Sequence, residues 1–159
     1  MSPRAACRLE RLGFTQVYDY VAGKMDWLSF ALPHEGEALL AGDVARREVP
    51  TCGPDEDLAS VRRRLEQAGS EFCVVVNERQ VVLGLVQHQR GETRSLHTRA
   101  EQVMDYGIIT VRPAEEVGPL AERMRKADVE AILLTRSDGT LYGLLARDEA
   151  DAALAQQQE

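Results

Sequence analysis

Long apolar runs are missing from this sequence: the longest, Phe72–Val76 and Val81–Val86, fall far short of the roughly 18 residues that cross a bilayer. No transmembrane helix and no membrane partner are expected. Cysteine is scarce as well. Cys7, Cys52 and Cys73 are odd in number, widely spaced and without a C-x-x-C pair, which argues against a disulfide framework or a zinc knuckle and predicts reduced thiols. His34, His88 and His97 show no metal-ligand spacing. Positive charge is in deficit, with 19 basic against 26 acidic residues and a formal net charge of -7, so no broad field attracts a polyanion and nucleic acid is not an expected partner. The N-terminus carries basic residues without an apolar signal core, and a cytoplasmic location is expected. What remains is 159 residues, 44% hydrophobic and 28% charged: a globular chain of one compact domain, or two small units sharing a core.

An internal repeat organises most of that length. Ala41–Val86 lies on Ala100–Leu145 at a constant offset of about 59 residues, without a gap. Val44 meets Val103, Thr51 meets Thr110, Pro54 meets Pro113, Glu56 meets Glu115, Arg64 meets Arg123, Ala68 meets Ala127, and Gly84-Leu85 meets Gly143-Leu144. Each copy opens with a short strand near Thr51 or Thr110. An amphipathic helix follows, its stripe set by Leu58, Val61, Leu65 and Ala68 in the first and by Val117, Leu120, Met124 and Ala127 in the second. Two apolar strands come next, joined by Asn77-Glu78-Arg79-Gln80 or by Ser137-Asp138-Gly139, of which only the second has the glycine of a strong hairpin turn. A helix over Arg147–Ala155 closes the second unit, and Gln156–Gln158 reads as a frayed tail. Neither unit is large enough to bury a good core alone, so the two are expected to pack together.

This pattern resembles tandem CBS domains, in which two units pack sheet to sheet about a pseudo-twofold axis. The implied fold is mixed α/β (α+β): a first unit over residues 38–90, a linker over 91–99, a second unit over 100–155 and a tail over 156–159. The family's most recognisable stretch reads here Gly143-Leu144-Leu145-Ala146-Arg147-Asp148-Glu149 and, in the first copy, Gly84-Leu85-Val86-Gln87-His88-Gln89-Arg90. The resemblance implies an adenosine-type ligand (AMP, ADP, ATP or S-adenosylmethionine) in a cleft between the units. Asp148 and Glu149 would accept from the ribose diol, since an ionised carboxylate is acceptor-only. Thr110, Ile132 and Gly143 would form walls, with Arg147 or Arg90 toward phosphate. Ala146 lacks the hydroxyl and Arg90 replaces the carboxylate, so the second copy's motif holds the better site; Thr51, Gly84 and His88 are its first-copy counterparts. Acids at a helix start also serve as caps, and Asp148 and Glu149 fit that reading too.

The first forty residues, with Leu12-Gly13-Phe14, Val17-Tyr18-Asp19, Gly23-Lys24 and Trp27, resemble the C-terminal end of a rhodanese domain, here over residues 1–37. Val17 is expected in a strand whose sheet neighbours are absent. The loop that carries a rhodanese's nucleophilic cysteine would precede Met1, so no catalytic residue is assigned and Cys7 reads as a small helix residue. Trp27, Leu28 and Phe30 form either a docking surface or the inner face of a short helix. Arg62-Arg63-Arg64 reads as a solvated face. The expected function is that of a non-catalytic regulatory module that senses an adenosine nucleotide and associates with itself, as a homodimer, or with a partner protein. The alternatives are an interaction module without a ligand, or the downstream part of a longer rhodanese–CBS protein.

Overall fold

The computed structural model describes residues 3–18, 23–30, 38–87 and 95–157. His34, His88 and Arg90 lie outside them. In chain order the elements are α1 (Pro3–Arg11), α2 (Gly23–Ser29), α3 (Ala41–Val44), β1 (Thr51–Cys52), α4 (Leu58–Ala68), β2 (Phe72–Val76), β3 (Val82–Gln87), a 3-10 turn (Ala100–Gln102), β4 (Thr110–Val111), α5 (Val117–Lys126), β5 (Ala131–Thr135), β6 (Leu141–Ala146) and α6 (Arg147–Gln156).

The strands form two three-stranded sheets, β1-β2-β3 and β4-β5-β6. In each, the short opening strand runs parallel to the second and the third runs antiparallel to it. The registers obey the sequence offset: Thr51 faces Val74 as Thr110 faces Leu133, and both hairpins are irregular at the same place, Val75/Val76 and Leu134/Thr135. Local chemistry sets the helices. Asp57 caps α4, accepting from the Ser60 N–H at 2.8 Å, and Gly69 ends it in the left-handed conformation at φ 59. Asp128 takes that position after α5 at φ 52, and Gln80 (φ 62) matches Gly139 (φ 83) in the hairpins. The missing glycine of the first turn therefore did not change the turn.

Leu58, Val61 and Leu65 of α4 are buried against Cys52, Cys73, Val75 and Val86. Val117, Leu120, Ala121 and Met124 of α5 are buried with Val111, Leu134 and Leu145. Between the sheets lies a third cluster shared by both halves, Val74 and Val76 with Leu133 and Leu144. Each fully buried aliphatic of this size contributes about 1.5–3 kcal/mol, so the shared cluster holds the two sheets face to face.

The segments that lead into the two units are exchanged. Ala41 and Ala45 lie in the core of the second half, and Ala100 and Met104 in that of the first. Ala41 and Gly42 donate to the carbonyls of Glu115 and Pro113, each at 2.8 Å, while Ala100 and Glu101 donate to Glu56 and Pro54 at 2.9 and 3.0 Å. Arg46 pairs with Leu144 through both backbone groups (2.8 and 2.9 Å), as Asp105 pairs with Leu85 (2.8 and 3.2 Å). Gln80, Val82, Gly139 and Leu141 bond across the axis, Val82 N–H to Gly139 and Leu141 N–H to Gln80.

Of the N-terminal part, α2 docks on the β5–β6 hairpin. The Ser137 hydroxyl donates to Asp26 at 2.6 Å, the Arg136 guanidinium lies 5.5 Å from the Phe30 ring centre, and Leu28 is buried. Leu28 is thus inner face while Trp27 and Phe30 stay partly exposed. The strand expected at Val17 is not found: residues 12–18 make a turn and an irregular stretch. A lone strand has no partner for its N–H and C=O groups, which water satisfies instead.

Candidate ligand cleft

A cleft of about 1080 Å³ opens at one edge of the sheet-to-sheet interface, and matching positions of both repeats line it. Val49 and Ile108 precede the opening strands, Phe72 and Ala131 begin β2 and β5, and Leu85 and Leu144 lie on β3 and β6. Charge is unequal between the halves. Arg46, Arg47 and Arg64 reach the cleft from the first repeat, where Arg46 and Arg47 stand at the positions of Asp105 and Tyr106 in the second. Glu48, Glu71 and Glu130 complete the polar rim. Ile109 lines the cleft yet is 79% exposed, so apolar surface stands open at its mouth.

Of the residues expected at the site, Ile132 lines this cleft. Thr110 does not; its hydroxyl oxygen accepts from the Thr135 hydroxyl at 3.1 Å, beside Arg112, which donates to Thr135 Oγ1 at 2.7 Å. Thr51 belongs to an adjoining groove with Cys52 and Glu56, which shares Val49, Pro50 and Arg64 with the cleft. Gly143 and Gly84 are needed for backbone approach, but the backbone they admit is that of Arg46 and Asp105 rather than a ligand. Arg147 faces Asp128 at 3.6 Å. Asp148 accepts from the adjacent Glu149 N–H at 2.9 Å. Glu149 uses both oxygens: Oε2 accepts from the Ala146 N–H at 3.2 Å, capping α6, and Oε1 pairs with Arg46 Nε at 2.8 Å.

Arg46 and Arg47 were missed by reading the motif alone, because they sit in the leading segment of the opposite repeat. Arg47 lies over the Tyr142 ring, 3.4 Å from its centre, a cation–π contact that fixes this segment on β6. The basic run on α4 is not a uniformly solvated face. Arg64 pairs with Glu56 at 2.8 Å and also donates to the Thr51 carbonyl, and the half-buried Arg62 has Nε and Nη2 without a partner among the described residues. Burial opposes the charge on Glu56, but Arg64 and the Gly53 N–H outweigh it and hold its carboxyl below the usual range. Among the described residues no His, Cys, Asp or Glu cluster could hold a metal ion, and no helix is long and apolar enough to cross a membrane.

The CBS domain family profile matches residues 41–88. An uncharacterised protein of Methanopyrus kandleri is 23% identical over 116 residues, which span 68% of this chain and 59% of that relative. The CBS domains of a transcriptional regulator from Streptococcus pneumoniae superimpose with a TM-score of 0.65 at 21% identity, over 72% of this chain and 98% of that one. CBSX2, solved in complex with AMP, superimposes with a TM-score of 0.65 at 16% identity, over 76% of this chain and 98% of that one. The fold is that of a CBS domain pair.

Proposed function

We propose that the chain is a non-catalytic regulatory module whose cleft binds an adenosine nucleotide and whose occupancy alters its association with a second copy or with a partner protein. The carrying observation is the cleft itself, apolar along Val49, Phe72, Leu85, Ile108, Ile132 and Leu144 and bordered by Arg46 and Arg47. Apolar walls suit a purine and guanidinium groups suit a phosphate. The complex of CBSX2 with AMP supports the same ligand class. The rhodanese-like reading of residues 1–37 belongs to this proposal, as does the assignment of Asp148 and Glu149 to the ribose. Titration calorimetry with AMP, ADP, ATP and S-adenosylmethionine tests it. Binding of one of these to the cleft is expected, together with a change in light-scattering mass; no heat from any of them overturns the nucleotide reading.

One observation favours a module without a ligand: each oxygen of the Glu149 carboxylate already has a partner within the chain, the Ala146 N–H and Arg46. Under that reading the ion pair is a permanent clasp between the leading segment and α6.

A further inference from the structure

We infer that Arg46 is a latch that makes the second-repeat half of the cleft selective for anionic nucleotides over neutral nucleosides. The inference rests on the nucleotide reading of the cleft and assigns a specificity residue within it. Arg46 lines the cleft, whereas its partner Glu149 is not among the lining residues. The guanidinium thus holds the acceptor that a ribose diol would need. Its backbone is fixed independently by the two hydrogen bonds to Leu144, so the side chain can swing without moving the chain.

The pair is suited to exchange. Its side chains are 58% and 31% exposed, and an ion pair in that setting is weak because water and salt screen it. The other Glu149 oxygen remains on the Ala146 N–H, which keeps the carboxylate in place when Arg46 leaves. A neutral nucleoside that takes Oε1 leaves Arg46 without its carboxylate. A nucleotide offers that guanidinium a phosphate, and the carboxylate–guanidinium bond is replaced by a phosphate–guanidinium bond of the same kind. Arg47, held on Tyr142 beside it, adds positive charge. At the matching positions for the other half the sequence has Asp105, from the second repeat, and Arg90, from the first, with signs reversed, so the acidic acceptor with a basic latch is a property of one half.

The test is calorimetric titration of adenosine and AMP into the wild type and into Arg46→Met, with Arg46→Gln as a second variant and circular-dichroism melts to verify folding. The wild type is expected to prefer AMP by about tenfold or more, the scale of a charge-assisted hydrogen bond. In the variants adenosine should bind several-fold more tightly than to the wild type, with AMP losing its preference. Weaker AMP with unchanged adenosine would make Arg46 a simple phosphate contact and overturn the latch. An unchanged AMP-to-adenosine ratio would also overturn it while leaving the nucleotide reading intact. If neither ligand binds the wild type or the variants, the latch fails, and the nucleotide reading fails with it when ADP, ATP and S-adenosylmethionine give no heat either.

Discussion

Gly143 lies so close to the backbone of Arg46 that a Cβ there would overlap the Arg46 carbonyl oxygen, and at Gly84 a Cβ would stand 2.7 Å from the carbonyl of Asp105. Neither obstacle is the end of a flexible side chain; both are backbone held in a two-bond bridge. Gly143→Ala and Gly84→Ala should therefore each destabilise the fold by about 1–3 kcal/mol, the cost of overpacking a tight site. Urea denaturation checks this, and unchanged midpoints would show that the exchanged segments yield easily.

The two repeats also supply an internal comparison of backbone strain. Gly69 and Asp128 occupy one left-handed position, and Gly139 and Gln80 another. Glycine adopts this conformation freely, Asp tolerates it and Gln does so least. Gln80→Gly is expected to stabilise by about 0.5–1 kcal/mol and Asp128→Gly by less. Thermal melts of the two variants should rank in that order; a loss of stability in Gln80→Gly would mean that its side chain makes a contact worth more than the strain.

The periodic part of the fold was legible in the sequence. The stripes of α4 and α5, the apolar strands and the constant offset marked out the elements, although Ala68 and Ala127, expected to continue the stripes, are exposed at the helix ends, and the CBS-pair resemblance supplied their packing. The exchange of leading segments was not legible, because Ala41-Gly42-Asp43-Val44 is short and small, and hydrophobic spacing does not say which half an element touches. The Glu149 partner was invisible for the same reason: Arg46 is remote in sequence and meets it only through the bridge to Leu144. The Val17 strand failed because local apolar character cannot provide the neighbouring strand that a sheet requires.

Acid should act on the Glu56–Arg64 pair. The Glu56 carboxyl is lowered in the folded protein, although burial alone would raise it, because Arg64 and the Gly53 N–H favour its charge. A lowered folded-state value contributes stability above the unfolded value and loses it as pH falls through the folded one. Asp57, through the Ser60 N–H, and Asp138, through Thr140, are shifted in the same direction. The difference between wild type and Glu56→Gln isolates the one group. Urea midpoints should favour the wild type at about pH 6 and converge with the variant toward about pH 3; a gap independent of pH would show that the pair's charge contributes nothing.

Thiol reactivity should divide the three cysteines by their place in the fold. Cys7 is exposed on α1, whereas Cys52 and Cys73 are 3% and 0% exposed in the first-half core. Contact with the Cys73 thiol, followed by burial, pushes the Cys52 thiol well above its ordinary range, so it stays protonated and a poor nucleophile. At the matching positions the second repeat has Val111 and Ile132, both apolar, which agrees with a packing role for Cys52 and Cys73. A chromogenic disulfide reagent should titrate one thiol rapidly in the native protein and all three in denaturant, and Cys7→Ser should remove the rapid phase. Slow release of the remaining two should track global unfolding as urea rises, because both thiols sit under α4 beside Leu58, Val61 and Leu65. Rapid reaction at Cys52 or Cys73 in native buffer would mean instead that the first half opens on its own, against the shared cluster of Val74, Val76, Leu133 and Leu144 that ties the halves together.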